Sequence, residues 1–522
     1  MLFARPALPV DETRYLAVAW EMWWRGSIAV PYLNGDYYEG KPPLFFWLMQ
    51  LGWWAAGVNE WWPRLIAPLF GLGSLALVRG LANRLWGARP AMDAAPPILL
   101  GSIWWAVFCA STMFDMLLGF FALWSVHAVI RVWQEGAARH FVSAGLALGL
   151  GILAKGPVVF LPALFVVAAA PWWSRRDTTQ RMAWHRWYGG ALGAAGIAAL
   201  IALAWLVPLA LSSGMAHLRN VAVGQTAGYV VESFSHRRPV WWYLPLLPLL
   251  LFPWSLWPTA WAALTRLKAQ AHDPGVRLCL VWAAGVFVSF SLISGKQAHY
   301  LLLMFPAVAL LLARLLPAAD REHDRAMLVP GAVWIGTGAA IAAFPHLAIA
   351  DAAAWIERMP AQAAYLAGAA LAAIGIGVAA SRRRMLATRV AVLSAASCAT
   401  VLVLAWGIVR ASSGAYDVRP LSAYLAGLEA RGFPLAVPAS YQGEFNFYGR
   451  LRSRVHRIAA AEAESWARAH PDGYLVAFYS GANWPPGNEP APAFRTLYRG
   501  GGIAVWAARD LVRHPELADA FR

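Results

Sequence analysis

Residues 188–213 read YGGALGAAGIAALIALAWLVPLALSS, a run whose only ionisable group is the Tyr188 phenol. A helix of about 20 apolar residues crosses the hydrocarbon core of a bilayer. This stretch is long enough and apolar enough to do so, and its neighbours repeat the pattern. Twelve runs of this kind are expected: Arg64–Arg84, Ala95–Thr112, Asp115–Trp133, His140–Ala154, Gly156–Trp173, Tyr188–Ser213, Val240–Leu264, Arg277–Ser294, Gln297–Leu316, Met327–Ala350, Ala361–Ala380 and Val390–Val409. Composition agrees. The 522 residues are 60% hydrophobic and only 13% charged, whereas soluble chains carry roughly 25% charge. Many of the thirty tryptophans come as pairs at the ends of apolar runs, as in Trp53-Trp54, Trp61-Trp62, Trp172-Trp173 and Trp241-Trp242. Indole favours the headgroup boundary, where its ring is apolar-side and its N–H is wet. Trp104-Trp105 lies deep in a run and reads instead as core. The chain is therefore an all-α polytopic membrane protein of about 12 spans.

The net charge of +16 would suggest nucleic acid in a soluble protein. Here the basic residues fall in short loops between apolar runs, which makes them topology signals and excludes nucleic acid as a partner. Basic groups occupy alternate loops: Arg84 and Arg89; Arg131 and Arg139; Arg175, Arg176, Arg181 and Arg186; Arg266 and Lys268; Arg314, Arg321 and Arg325; Arg382, Arg383, Arg384 and Arg389. The positive-inside rule assigns these loops to the cytoplasm. The Asp11 region, the other loops and the tail after Arg410 then face outward. The three cysteines, Cys109, Cys279 and Cys398, lie within apolar runs and imply neither a disulfide framework nor a zinc site. Met1–Val10 contains no secretory signal.

Residues 411–522 change character. Strand-like runs at Pro434–Pro438, Gly473–Tyr479 and Ile503–Ala507 flank a helical stretch at Ala459–His470, and Trp484-Pro485-Pro486-Gly487 reads as a turn. Two domains are expected: a membrane domain, 1–410, and a small α/β domain on the outer face, 411–522. No internal repeat or low-complexity segment stands out.

The outward loops hold an unusual set of ionisable groups: Asp11, Glu12 and Arg14; Tyr38, Glu39 and Lys41; Asp115; Lys155; Glu232, His236, Arg237 and Arg238; Lys296, His299 and Tyr300. Charge at membrane depth is costly and faces a cavity or a partner. Acids and cations together on one side suit a polar cavity that opens outward. Cations and phenols there would stabilise a phosphate leaving group as its charge develops, with Lys41, Lys155 and Tyr300 first and Arg14 and Arg237 behind them. A carboxylate such as Asp11 would serve as base or positioner for an acceptor hydroxyl, and single displacement would invert the anomeric centre. Each group has a plainer use. Asp11 and Glu12 suit the first turn of a helix over Thr13–Trp24. Lys41 suits snorkelling to headgroups, Arg237-Arg238 a headgroup contact, and Tyr300 an interfacial belt. His236 and His299 lack metal-ligand spacing.

The motifs Asp11-Glu-Thr-Arg-Tyr15, Pro31-Tyr-Leu-Asn-Gly35 and Lys41-Pro42-Pro43 resemble those of the lipid A aminoarabinose transferases, GT-C glycosyltransferases related to the protein O-mannosyltransferases. Asp115, Leu153-Ala-Lys-Gly156, His236-Arg237 with Pro239 before Trp241-Trp242-Tyr243, and Ser294-Gly-Lys-Gln-Ala-His-Tyr300 extend the resemblance across the membrane region. It implies a GT-C fold, a sugar donor on undecaprenyl phosphate, and a lipid A, glycan or protein acceptor, met at the periplasmic face of a bacterial inner membrane. It also implies roles. Asp11 would be the essential acid. Lys41, Lys155 and Tyr300 would hold the carrier phosphate, and Arg14, Tyr38 and Asp115 would line the cavity. In the aminoarabinose transferases an acidic residue before the lysine and a loop histidine are associated with zinc. Gly40 and Gln225 stand there, and the nearby arginine aligns with Gly228, so no metal ligand is assigned, although a divalent metal is the alternative. These losses also weaken aminoarabinose as the sugar and lipid A as the acceptor. Relatives carry a span before the acidic motif. Met1–Val10 is too short to be one, so a thirteenth span encoded upstream of Met1 is expected. The competing class is a flippase for lipid-linked sugars. That class often shows inverted repeats with paired broken helices and does not require the clustered acid and cations. A membrane scaffold leaves the polar outer set without a role.

Overall fold

The computed structural model describes residues 5–89, 92–174, 182–224, 237–346, 360–409, 413–481 and 490–521. The expected positions Glu232, His236, Gln225, Gly228, the turn at 484–487 and the end of the run to Ala350 lie outside these residues. Among the described residues, eight helices are long and apolar enough to cross a membrane, or nine if one bent pair is counted as a span. The chain is a multi-pass membrane protein. Helix occupies each of the twelve expected runs, but four are too short or interrupted to qualify alone: the bent run from Ala95 to Thr112, α7 (Arg139–Lys155), the stretch from Pro157 to Trp173, and the stretch from Val240 to Leu264.

The interruptions have local causes. The run expected at Ala95–Thr112 bends by 69° between α4 (Ala95–Gly101) and α5 (Ile103–Cys109). Ser102 takes an extended conformation there, which ends one helix and begins the next. The run at Val240–Leu264 carries Pro245, Pro248, Pro253 and Pro258, each lacking a backbone donor. Each break supplies what the other lacks. The Ile103 amide donates to the Phe252 carbonyl at 2.9 Å, and the Trp254 indole donates to Ile98 O at 2.9 Å and to Ser102 Oγ at 3.1 Å. Irregular backbone at membrane depth survives only where protein satisfies it, and Trp254 is buried.

Close helix contact is made by glycine. Leu328–Ala343 lies against Ala361–Ala380, and a Cβ added to Gly338 would sit 2.4 Å from the Gly368 carbonyl oxygen. Small residues of this kind let two backbones approach where lipid offers no hydrophobic drive.

The chain before the first long span is structured. α1 (Asp11–Arg25) runs into a hairpin of β1 (Tyr32–Leu33) and β2 (Asp36–Tyr37), then α2 (Leu44–Ala56) and α3 (Trp61–Trp86). The hairpin turns at Asn34 and Gly35, both at positive φ, as a two-residue turn of this kind requires.

The C-terminal region forms a five-stranded sheet in the order β4-β3-β5-β7-β6, from β3 (Leu435–Val437), β4 (His456–Arg457), β5 (Tyr474–Tyr479), β6 (Phe494–Tyr498) and β7 (Gly501–Ala507). β3 pairs in parallel with β4 and β5; β7 is antiparallel to β5 and β6. Side chains alternate across the sheet. Val437, Val476, Ile503 and Val505 pack with Leu421, Leu425 and Leu428 of the helix Arg419–Ala430, while Leu475, Ala504 and Trp506 pack with Trp466 and Leu511 on the other face. This sheet module is fastened to the first elements. Trp20 Nε1 donates to Leu451 O at 3.0 Å, Asn34 exchanges two hydrogen bonds with Val455, and Phe447 stacks on Trp53 at 5.6 Å.

Candidate active site

α1 brings Asp11 and Arg14 to the same side, three residues apart, while Glu12 turns inward. Glu12 is buried in a closed network. It pairs with Arg5, and it accepts hydrogen bonds from Leu8 N at 2.8 Å and Thr112 N at 2.7 Å. Burial pushes this carboxyl up, but Arg5 and the two backbone amides outweigh it and hold it below the usual carboxylate range. Arg5 in turn donates to Ala110 O at 3.1 Å. Glu12 therefore joins the start of α1 to the loop before α6 (Asp115–Glu135). Its neighbour Asp11 stays exposed, with one carboxylate oxygen taken by the Arg14 guanidinium. The helix-start reading of Asp11 is only part of the picture: the residue preceding α1 makes no side-chain cap, and the carboxylate is paired with Arg14.

Asp115 opens α6, and Lys155 closes α7. An acid at a helix N-terminus and a cation at a C-terminus both favour the macrodipole. The two meet, Lys155 Nζ donating to Asp115 Oδ1 at 2.6 Å. The other carboxylate oxygen, Oδ2, is buried with no hydrogen-bond partner among the described residues. Gly156, at φ 90°, stops α7 immediately after the lysine. Tyr300 and His299 arrive from the segment after Lys296. The Tyr300 ring centroid lies 5.7 Å from Lys155 Nζ, and His299 Nε2 lies 3.9 Å from Asp115 Oδ1. Lys41 comes from the loop before α2. Burial lowers its ammonium, as does the nearby Lys155 charge, to a pKa of about 8.

These groups surround one cavity of about 130 Å³, lined by Asp11, Arg14, Tyr15, Lys41, Met113, Phe114, Asp115, Lys155, Gln297, His299 and Tyr300. Six of the eight residues singled out from sequence line it. Tyr38 does not. It packs edge-on to Phe46 at 6.1 Å, with its hydroxyl against Gly40. Arg237 does not either. It forms an isolated bridge with Gly295 and is exposed. Lys296, from the same outer set, donates to the backbone carbonyls of Arg238 and Ile293, fastening two loops together. Gln297 and His299 were missed as cavity residues. The sequence places His299 in the outer polar set but gives it no role in the cavity, although it precedes Tyr300 directly.

For the zinc of the aminoarabinose transferases the fit is poor among the described residues. Gly40 offers no donor. Glu39 is engaged by His217 at 3.3 Å and Asn220 at 2.9 Å, and no three metal-ligating side chains gather. Gln225 and Gly228 lie outside the described residues, and no step of the chemistry is routed through a metal.

The bundle of helices, its cavity of acids, cations and a phenol, and the α/β module fastened beside it together define a multi-pass membrane fold. The chain superimposes on ArnT of Cupriavidus metallidurans with a TM-score of 0.75 over 97% of this chain and 94% of that one, at 20% identity. An equal match is made to the same protein bound to undecaprenyl phosphate. A family model described as dolichyl-phosphate-mannose-protein mannosyltransferase matches residues 40–211. The undecaprenyl phosphate-alpha-4-amino-4-deoxy-L-arabinose arabinosyl transferase of Edwardsiella ictaluri is 30% identical over 63% of this chain and 59% of its own length. Its counterpart in Pseudomonas paraeruginosa is 29% identical over 65% and 60%. The chain thus spans about three fifths of the length of the curated relatives it matches.

Proposed function

We propose that this protein is a glycosyltransferase that moves a pentosyl or hexosyl group from a polyprenyl (undecaprenyl) phosphate to a lipid A, glycan or protein acceptor, inverting the anomeric centre. One observation carries the reading. Asp11, Lys41, Asp115, Lys155 and Tyr300 are far apart in sequence and line a single cavity. The mannosyl transfer named for the family model and the aminoarabinose transfer named for the relatives share the chemistry of a lipid phosphate leaving group, which this cavity suits.

In this reading Lys41, Lys155 and the Tyr300 hydroxyl take up charge on the departing phosphate, which is where preorganised donors lower a barrier most. Asp115 holds Lys155 in place and keeps it from moving into bulk water. Asp11 orients or deprotonates the acceptor hydroxyl from the exposed side of the cavity. The carbon–oxygen bond to the phosphate breaks as the acceptor oxygen forms its bond on the opposite face. The acceptor proton passes to Asp11, and the lipid phosphate leaves as the anion.

The membrane domain, 1–410, and the outer domain, 411–522, share the periplasmic face with the site, and the bilayer supplies the donor laterally. The relatives' substrates supply the donor class; the sugar and acceptor are fixed by experiment. Purified protein incubated with radiolabelled polyprenyl-phosphate sugars is expected to release labelled acceptor, identified by mass spectrometry of lipid A, glycans and glycoproteins from a deletion strain. Asp11→Asn and Lys41→Ala should each abolish transfer while the protein stays folded. Undiminished turnover in both variants removes the site assignment, and transport of intact donor without turnover favours a flippase.

A further inference from the structure

We propose that the sheet module is a working part of the active site. Its Gln442 is a positioning residue that splits the Arg14 guanidinium, so that Asp11 keeps one oxygen for the acceptor. The proposal rests on the role given to Asp11 above.

The geometry is specific. Arg14 donates through one terminal nitrogen to Asp11 Oδ1 and through the other to Gln442 Oε1. An arginine beside a lone carboxylate tends to close on it with two parallel hydrogen bonds. That arrangement would occupy both oxygens of Asp11. With Gln442 taking one terminal nitrogen, the end-on fork is closed to Asp11, which is met by the second terminal nitrogen alone; Arg14 Nε makes no hydrogen bond, and Asp11 has no other, among the described residues.

Gln442 is held where it can do this. Its backbone amide donates to Glu444 Oε2 at 2.8 Å. Gly443 follows at φ +79°, and a Cβ there would lie 2.5 Å from Leu33 Cδ1 and 3.1 Å from Ala17 Cβ. The loop is thus pressed against α1 and β1, and only glycine fits that approach. Gln442 sits 428 residues from Arg14 in sequence. The first elements and the sheet module, already joined through Trp20, Asn34 and Trp53, meet again at this guanidinium.

The test compares two variants in the transfer assay. Gln442→Leu removes the acceptor oxygen at nearly constant size. Gln442→Glu keeps that oxygen but places a charge beside buried Glu444. If Gln442 positions Arg14, Gln442→Leu lowers kcat about tenfold or more while Gln442→Glu stays within about threefold of wild type, because the acceptor role is what the base needs. Donor KM changes less than kcat in both, since the lost interaction serves the transition state. A merely structural role gives the reverse order, because the leucine is tolerated and the added charge is not. Equal losses in the two variants, or a greater loss in Gln442→Glu, overturn the proposal. Asp11→Asn is run alongside. If it inactivates while Gln442→Leu is silent, only this inference falls. If it is silent, the site reading falls and takes this inference with it.

Discussion

In the proposed reaction, Lys41 is the residue whose ionisation most directly sets donor binding. Burial and the neighbouring Lys155 charge bring it to about 8, well below the ordinary lysine value. Below that pH it is an ammonium and can hold a phosphate. As pH rises through 8 it loses its charge, and donor KM should climb. A bound phosphate favours the charged form, so the limb is steeper in KM than in kcat. Lys41→Arg keeps its charge at all accessible pH, and its KM should stay flat to pH 9; a wild-type limb that persists in Lys41→Arg assigns the effect elsewhere. Asp115 and Lys155 give a second expectation. Both are buried, with 3% and 11% of their side chains exposed. Removing one partner of such a pair leaves the other charge uncompensated and costs about 3 kcal/mol or more. Lys155→Ala should therefore lower the melting temperature in detergent as well as abolish transfer, whereas Asp11→Asn, at an exposed carboxylate, should leave melting unchanged. Most of these residues could be found from sequence because each stands in an outer-loop motif of a chain that otherwise avoids charge. Gln442 could not be, since a lone glutamine in a polar stretch carries no signal until the fold brings it to Arg14. Lys296 misleads for the opposite reason: it is a charged residue in an outer loop whose hydrogen bonds all go to carbonyls.

At the scale of elements, the loop from Tyr441 to Glu444 makes the clearest prediction. Gly443→Ala must place a Cβ at positive φ and against Leu33 and Ala17. The backbone strain costs about 1–2 kcal/mol before the contacts are counted. The loop should shift, and kcat should fall as it does for Gln442→Leu, with a smaller change in donor KM; an unchanged kcat would show that the loop's position does not matter to turnover. Element legibility follows the same physics. Hydropathy located helix in all twelve expected runs because apolar content is all that lipid demands. It could not see that α4 and α5 bend at Ser102, or that the stretch from Val240 to Leu264 is broken by proline. Those breaks are tolerated only because Phe252 O and the Trp254 indole lie opposite them, and such partners are distant in sequence. In the sheet module β3, β5 and β7, which hold no charged residue, were readable. β4 has two residues, both exposed, and β6 is interrupted by Arg495, so neither carries a strand pattern.

At the scale of the molecule, the ends of the helices decide which side of the membrane does the chemistry. The N-terminus of α6, the C-terminus of α7 and the segment before Phe305 all reach one cavity, and α1 and the sheet module meet at its rim. The opposite ends carry the arginines: Arg382, Arg383 and Arg384 fall between Ala361–Ala380 and Leu386–Val403, and buried Arg389 pairs with Asp320 and Asp324. An antiparallel helix pair cannot exchange its ends without inverting the whole bundle, so orientation is a single variable for site and module together. In the proposed orientation the basic loops are retained in the cytoplasm, and the cavity and the sheet module lie outside. Ser453 is exposed on the module, and Arg384 is exposed at the arginine end. In a variant with Cys109, Cys279 and Cys398 replaced by serine, Ser453→Cys should react with a membrane-impermeant maleimide in intact spheroplasts. Arg384→Cys should react only after permeabilisation. Labelling in the reverse order would put the cavity in the cytoplasm, on the face where an outer-leaflet acceptor cannot reach it, and would remove the reaction proposed for it.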